Sequence, residues 1–185
     1  MENISLTGEI SKRLLKTENL KLRAVEPADI QFIFDLENDP EIWCAGNTIF
    51  PFSKYQIEQY VYNTSHDIYT DKQLRLMIDT RGEEGKCIGV VDLFDFDPHH
   101  RRAGLGILIL AEERNKGNAY EVVEIMKQYA REVLQLHQLY CTVLEGNEAS
   151  RRLFEKAGFT LTGVRKEWRL LNNQWKDEFV FQYLF

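Results

Sequence analysis

The segment Arg114-Asn115-Lys116-Gly117-Asn118-Ala119 joins an apolar run to a stretch of helical periodicity. The run before it, Leu105-Gly106-Ile107-Leu108-Ile109-Leu110, predicts a buried strand. After it, apolar residues recur every three or four positions as far as Leu134, and charged residues fill the other face. Backbone N–H groups and the helix dipole both favour an anion at such a strand–turn–helix junction, so the segment predicts a pyrophosphate site.

Two common nucleotide-binding motifs do not fit this turn. No Gly-Lys-Ser/Thr follows it, as a P-loop requires, and the G-x-G-x-x-G of dinucleotide folds is absent. The turn is therefore neither a P-loop nor the glycine-rich loop of a dinucleotide-binding fold.

The turn resembles the Q/R-x-x-G-x-G/A motif of the GCN5-related N-acetyltransferases (GNAT), which binds the pyrophosphate of acetyl-coenzyme A (acetyl-CoA). Arg114, Gly117 and Ala119 stand at its fixed positions. The segment from Asn147 to Phe159 is similar to the family's later N-x-x-(A/S)-x-x-x-(Y/F)-x-K-x-G-F segment. Order and separation also match, and the resemblance runs from about residue 19 to the C-terminus. The alternative is an unrelated α/β domain with a glycine turn.

Length and composition are those of one ordinary domain of 185 residues. The three cysteines show neither metal-ligand nor disulfide-framework spacing, so we expect reduced thiols and no metal. The N-terminus shows no secretory signal pattern, and no apolar run approaches the roughly 20 residues that span a bilayer. We therefore expect a cytoplasmic protein without membrane contact. Residues 1–15 are interpreted as an N-terminal extension, and residues 16–185 as the N-acetyltransferase domain.

Charge is unevenly distributed along the chain. Residues 1–100 hold ten Lys and Arg against eighteen Asp and Glu, whereas residues 101–185 hold thirteen against eleven. This asymmetry has two interpretations: two solvated surfaces, or a C-terminal half that receives a polyanionic cofactor and an N-terminal half that faces a cationic substrate. Under the second interpretation, Glu37 and Glu41, which flank Asp39, are candidate substrate-binding residues. No basic stripe suggests nucleic acid as a partner.

Strands and helices alternate along the chain and end in two strands, which indicates one mixed α/β sheet. Predicted strands cover Leu20–Ala24, Gln73–Asp79, Cys87–Phe96, the run before the turn, Leu139–Leu144, Thr160–Leu171 and Trp175–Leu184, and residues 41–52 are predicted as a loop. The resemblance implies a mostly antiparallel sheet flanked by helices, in which the strands before the turn and before Asn147 are parallel and splay apart. Acetyl-CoA would lie in that notch, its acyl end against Ile107, Leu108 and Ile109.

Asp92 is the candidate general base for such a reaction. Alternation in Ile88-Gly89-Val90-Val91-Asp92-Leu93-Phe94 places it on one strand face with Ile88, Val90 and Phe94. Amines of pKa near 10 must lose a proton before they attack a thioester, so a carboxylate lining a cleft is useful. The alternative is a salt-bridged or edge-exposed aspartate.

The residue at the position of the general acid departs from the family's pattern. Many relatives carry a tyrosine at the position of Phe154, and phenylalanine cannot donate a proton to the departing thiolate. Phe154 itself is predicted to be a core aromatic. The remaining candidate donors are Tyr120, Tyr140, Ser150 and Cys141.

Further cofactor contacts are implied for the late helix. Asn147 is predicted to cap it, and in the family this asparagine often contacts the pantetheine arm. Arg152 and Lys156 lie one turn apart and are candidates for the cofactor's phosphates or for a solvated face. His99 and His100 are interpreted as solvated turn residues.

Within the family, the segment Glu167–Asp177 is most similar to the branch of the spermidine N-acetyltransferases and ribosomal-protein alanine acetyltransferases. Ala103-Gly104 departs from the polyamine enzymes, which usually have alanine-glutamate there. The expected activity is acetyl transfer from acetyl-CoA to a primary amine, either a small amine or polyamine or a protein N-terminus, by a protein that forms a homo-oligomer. The alternative is a non-catalytic acyl-CoA-binding module, which the loss of tyrosine at Phe154 would favour.

Overall fold

The computed structural model describes residues 14–45, 48–63, 67–82 and 85–185. Residues 1–13 of the expected N-terminal extension lie outside this range. The strands are β1 (Leu20–Ala24), β2 (Leu74–Thr80), β3 (Cys87–Asp97), β4 (Arg102–Ile109), β5 (Gln138–Leu144), β6 (Thr160–Leu171) and β7 (Gln174–Leu184).

Six α-helices lie among the described residues. They are α1 (Ile30–Glu37), α2 (Pro40–Ala45), α3 (Lys54–Asn63), α4 (Ile68–Asp71), α5 (Asn118–Glu132) and α6 (Glu148–Lys156). Short 3₁₀ turns, Pro27–Asp29 and Ala111–Glu113, precede α1 and α5. No helix among the described residues is long and apolar enough to cross a membrane.

Within the described ranges, the sheet has seven strands in the order β1-β2-β3-β4-β5-β7-β6. All neighbours are antiparallel except β4 and β5, which are parallel. The fold class predicted from the sequence, a mixed and mostly antiparallel sheet flanked by helices with one parallel pair, is confirmed.

Helices cover both faces of the sheet. On one face α5 and α6 pack through Val122, Met126 and Phe154 into the larger apolar cluster. On the other face α1 and α3 pack through Ile33 and Ile57 into a smaller cluster with Met77 and Val90. Each fully buried aliphatic side chain contributes roughly 1.5–3 kcal/mol to folding. The face that carries α1 and α3 is called the acceptor face below.

Local signals explain where the helices begin and end. The Asn147 side chain accepts a hydrogen bond from the Ser150 N–H at 3.1 Å, which confirms it as the N-cap of α6. Gly158 ends the same helix with a φ of +86°. Ser53 and Gln56 form the reciprocal bonds of a capping box before α3, at 2.7 and 3.2 Å.

Two local predictions are wrong. The segment predicted as a loop contains α2, because Asp39 and Pro40 both end α1 and start a new helix: the Asp39 carboxylate accepts the Glu41 N–H at 2.9 Å, and proline fits a first helical position. The second wrong prediction placed Ile88 on the same strand face as Asp92. The register between β2 and β3 shifts between Ile78 and Asp79. Ile88 therefore packs into the larger cluster, on the face opposite to the acceptor face.

Candidate active site

The parallel strands β4 and β5 form a fork. Their register covers Arg102 to Gly104 of β4 against Gln138 to Tyr140 of β5. Beyond Tyr140, β5 continues to Leu144 with its other edge paired to β7. From Leu105 to Ile109, β3 is the only described strand that pairs with β4, so one edge of β4 faces a notch.

Backbone amides of β4 point into this notch. The Leu110 N–H donates to the Ile88 carbonyl on β3 at 2.9 Å. Because amide directions alternate along a strand, those of Ile107 and Ile109 face away from β3, toward the notch. The Leu108 amide faces β3, and its side chain packs at the margin of the acceptor-face cluster.

The predicted pyrophosphate turn follows the C-terminal end of β4, at the open end of the notch. Asn115 and Gly117 have left-handed φ values of +61° and +87°. Left-handed residues within a turn direct neighbouring N–H groups to one side and form an anion-binding concavity. A Cβ on Gly117 would meet no atom of the described residues within 4 Å, so a ligand can approach its backbone closely.

The start of α5 adds further donors. The Glu121 N–H reaches the Gly117 carbonyl at 3.2 Å. The amides of residues 118–120, which include Asn118 and Ala119, belong to the first turn and have no intrahelical acceptor. Turn and helix start together make a site that fits a pyrophosphate.

Both cationic side chains of the turn, Arg114 and Lys116, are held by neighbouring groups. Arg114 Nε donates to the Ile109 carbonyl at 2.9 Å, and its terminal nitrogens have no partner among the described residues. Lys116 Nζ contacts Glu113, which also binds Lys86, at 2.9 and 2.7 Å. The ammonium groups of Lys86 and Lys116 hold the pKa of Glu113 below its usual value. The turn is thus tied to the last residue of β4 and to the residue just before β3.

Helix α6 brings Lys156 to the same end of the molecule. Its Nζ lies 4.5 Å from the centre of the Tyr120 ring, which belongs to the first turn of α5. Arg152 is exposed one turn earlier. The structure therefore places Lys156 beside the turn, and the roles of Asn147, Arg152 and Lys156 toward a cofactor stay predictions.

Asp92 is salt-bridged, as one of its two interpretations expected. Arg75 Nε and Nη2 donate to its two carboxylate oxygens at 2.8 and 3.1 Å. Arg75 Nη1 also binds Glu37 at 2.5 Å. We call Glu37, Arg75 and Asp92 the acceptor-face triad. Burial alone would lower the pKa of Arg75, but the two carboxylates raise it above its usual value.

Asp92 lies one strand from the notch. It is in register with Arg75 on β2 and with Gly106 on β4. A Cβ on Gly106 would meet only Phe94, at 3.7 Å, so this row carries no side chain between Asp92 and the notch. Glu41, the second predicted substrate residue, is exposed in the first turn of α2.

A cavity of about 320 Å³ adjoins the triad on its far side. Tyr60 and Arg75 both line it, and the Arg75 guanidinium lies 5.7 Å from the Tyr60 ring centre. Burial raises the pKa of Tyr60. The cavity wall is mostly apolar and consists of Ala24, Val25, Tyr60, Val61, Asp71, Gln73, Leu74 and Arg75.

Aromatic side chains close the base of the fork. Phe94 fills the space beside Gly104, where a Cβ would lie only 2.2 Å from its ring. Its ring also packs edge-on against Tyr140, with centroids 5.8 Å apart. The Tyr140 hydroxyl donates to Asp95 at 2.9 Å, and burial together with this bond raises the pKa of Tyr140 to about 12.

The candidate proton donors differ in access. Phe154 is 4% exposed and packs against Phe159, as a core aromatic should. Cys141 is 1% exposed, and burial raises the pKa of its thiol. Tyr140, Tyr120 and Ser150 are partly exposed. His99 and His100 are exposed in the turn between β3 and β4.

Sequence reasoning missed Arg75, Tyr60 and Phe94. Arg75 had a readable signal, because it interrupts the apolar strand Leu74-Arg75-Leu76-Met77-Ile78 and so predicts a buried carboxylate partner. Tyr60 and Phe94 had none, since an aromatic residue on a helix or strand is ordinary core composition.

Comparison with known proteins agrees with this geometry. Residues 19–160 match the family model described as "Acetyltransferase (GNAT) domain". The spermidine N(1)-acetyltransferase of Vibrio cholerae is 28% identical over 161 residues, covering 85% of this chain and 88% of that protein.

Two of the similar solved structures match over most of both chains. The V. cholerae spermidine N-acetyltransferase in complex with CoA and spermine has a TM-score of 0.81 at 27% identity, over 91% of this chain and 96% of that one. The dodecameric structure of the V. cholerae enzyme in an intermediate state has a TM-score of 0.76 at 27% identity, over 91% and 95%.

Proposed function

This chain belongs to the GNAT acetyltransferase family, whose donor is acetyl-CoA, and from that premise we propose that its acceptor is a primary amine. The amine would reach the notch from the acceptor face, across Gly106. The acceptor would be a small amine or polyamine, or the N-terminus of a protein.

The fork between β4 and β5 is the observation that carries the proposal. Three residues of each strand pair, and the strands then separate beneath a turn with open backbone donors. An extended arm fits beside the free edge of β4, with its pyrophosphate at residues 114–119. A binding module would need the notch alone. The acceptor-face triad beside the notch, and relatives named N-acetyltransferases, favour the enzyme.

The backbone of this site supplies donor binding and charge stabilisation. Acetyl-CoA brings its acyl group activated as a thioester. The amides of Ile107 and Ile109 face the notch, where they can donate to the carbonyl oxygen as negative charge develops on it. The amides of Gly117, Asn118 and Ala119 hold the pyrophosphate, and Arg114 and Lys116 add positive potential.

Asp92 is the residue we assign to the amine's proton. Both of its oxygens bind Arg75, so each has one lone-pair direction left for a water molecule or the amine. The one-strand separation from the notch favours transfer through one water. As the nitrogen–carbon bond forms and the carbon–sulfur bond breaks, the proton passes to Asp92 and the thiolate departs, with no donor from Phe154.

Some observations favour a polyamine as the acceptor, and others count against it. Relatives in the comparisons are named for spermidine, and Glu37 and Asp92 lie on the acceptor face. Against a polycation, Arg75 neutralises much of that charge, and the Phe94 ring fills the space beside Gly104 where polyamine enzymes usually have glutamate.

We also propose a homo-oligomer. Strand β6 lies at the edge of the sheet, and Trp168, Leu170 and Trp175 on the β6–β7 hairpin are 56–59% exposed. A free edge beside such a patch fits a second copy of this chain. The dodecameric V. cholerae structure supports the same conclusion.

Thiol release from acetyl-CoA tests the proposed function. The purified protein is offered a panel of polyamines, aminoglycosides, simple monoamines and peptides with free N-termini, and products are checked by mass spectrometry for one added acetyl group. We expect turnover with at least one amine and retention of that activity after dialysis. Binding of acetyl-CoA with no amine-dependent thiol release across the panel would instead indicate the non-catalytic module.

A further inference from the structure

Arg75 occupies the position of a bound cation. Its guanidinium lies between the carboxylates of Glu37 and Asp92, at 2.5 and 2.8 Å, and above the Tyr60 ring. Two carboxylates and an aromatic face are the surroundings that also stabilise an ammonium ligand. Side chains of the triad are only 16–20% exposed, so their charges act through protein as much as through water.

The guanidinium determines the charge that an incoming acceptor meets. With Arg75 in place the triad has a net charge of −1, and without it the charge would be −2. The triad lies one strand from the notch, on the row that continues through Gly106. At that separation a single charge changes the local potential appreciably, because the path is not fully screened.

We propose that Arg75 is a specificity-determining residue. By neutralising Glu37 and Asp92, it determines whether the site prefers acceptors with few or with many positive charges. This inference rests on the proposed transfer of acetyl groups to amines. It predicts that the present triad disfavours polycations relative to the same site without Arg75.

The chain contains a matched control for this arginine. Arg23 on β1 also bridges two carboxylates, binding Asp29 at 2.6 and 2.8 Å and Asp79 at 2.6 Å. Its strand is at the edge of the sheet, three strands from β4. Loss of Arg23 therefore leaves comparable carboxylates unpaired, but far from the notch.

The experiment compares two acceptors that differ in charge. The two acceptors are spermidine and n-hexylamine if the wild type acetylates both. Otherwise they are two peptides with free N-termini that differ by one lysine. We expect Arg75→Met to raise the ratio of kcat/KM for the more charged acceptor over the less charged one by about three- to tenfold, mainly through KM. The ratio should also fall more steeply with added salt. Arg75→Lys, which keeps the charge, should stay near the wild-type ratio, and so should Arg23→Met.

A second variant keeps the test decisive if Arg75→Met does not fold. Glu37→Gln brings the triad to zero net charge. Because residue 37 is at the end of α1, we expect this variant to fold. Its ratio of kcat/KM values should be lower than that of the wild type, and the ratio should change less with added salt. Unchanged ratios in every folded triad variant of an active enzyme, or an equal shift in Arg23→Met, would overturn the inference. A wild type inactive on every amine would overturn the proposed function instead.

Discussion

Gly117 combines a left-handed backbone with close approach to the expected pyrophosphate. Its φ is +87°, and no atom of the part of the chain that the structure describes lies within 4 Å of the position a Cβ would take. We expect Gly117→Val to weaken acetyl-CoA binding at least tenfold, because the side chain would occupy ligand space and valine strains this conformation by roughly 1–2 kcal/mol. Isothermal titration calorimetry with acetyl-CoA measures the change.

Gly158 provides a control for the loss of stability. Its φ of +86° matches that of Gly117, but a Cβ there would lie 3.3 Å from the Tyr183 ring instead of in open space. Gly158→Val should lose a similar amount of stability and keep its acetyl-CoA affinity. Wild-type affinity in a folded Gly117→Val protein would show that the turn is not the pyrophosphate site.

Phe154 tests whether departure of the thiolate limits the reaction. We expect Phe154→Tyr to raise kcat on a good amine, since it restores a hydroxyl where many relatives have one. A positioned general acid contributes about 10²–10⁴-fold when it is fully used. Steady-state kinetics at saturating acetyl-CoA measures the gain.

Phe159→Tyr is the control for this change. Phe159 is buried beside Phe154, with ring centroids 5.1 Å apart, so it adds the same hydroxyl to the same core. A level or reduced kcat in Phe154→Tyr, with cofactor binding intact, would mean that departure is not limiting or that another donor already acts.

At the level of strands, Phe94 and Gly104 form one packed row at the base of the fork. We expect Gly104→Ala to lower the free energy of unfolding by about 1–3 kcal/mol, because its Cβ would lie 2.2 Å from the Phe94 ring and force it to move. Urea denaturation measures the loss. Gly106→Ala is the control, since its Cβ would meet the same ring at 3.7 Å.

The loss should depend on the ring itself. In a Phe94→Leu background, Gly104→Ala should cost measurably less, which a double-mutant cycle reports as coupling. Additive effects of the two changes would contradict the packing described here.

Elements with strong periodicity were predictable from the sequence, and those that depend on tertiary context were not. The strand, turn and helix around Gly117 follow from local patterns, and so do the caps at Ser53 and Asn147. Helix α2 was missed because Asp39-Pro40 signals a helix end and a helix start with the same residues. The facing of Ile88 was missed because a register shift between strands leaves no mark in one strand's alternation.

At the scale of the whole molecule, the exposed β6–β7 hairpin predicts self-association. We expect the wild type to sediment as a homo-oligomer and Trp168→Glu to shift it toward smaller species, because a charge would be buried at the interface. Analytical ultracentrifugation measures the distribution. Tyr62→Glu on α3, a residue 62% exposed, is the control and should leave the distribution unchanged. A wild type that is monomeric at micromolar concentration would contradict this expectation.

The two halves of the candidate site were not equally predictable. The free edge of β4 and the pyrophosphate turn are built from one continuous segment, residues 105–119, so their layout could be predicted from pattern and family resemblance. The acceptor side brings together Glu37 from α1, Arg75 from β2 and Asp92 from β3. Only the tertiary fold makes these three neighbours, and the sequence alone therefore could not pair Asp92 with its arginine.

A crystal structure of the protein with acetyl-CoA would test the proposed site most directly. We expect the pyrophosphate against the amides of residues 117–119 and the thioester between β4 and β5, beside Ile107. Acetyl-CoA bound elsewhere, or in the notch with its pyrophosphate away from the turn, would contradict the assignment.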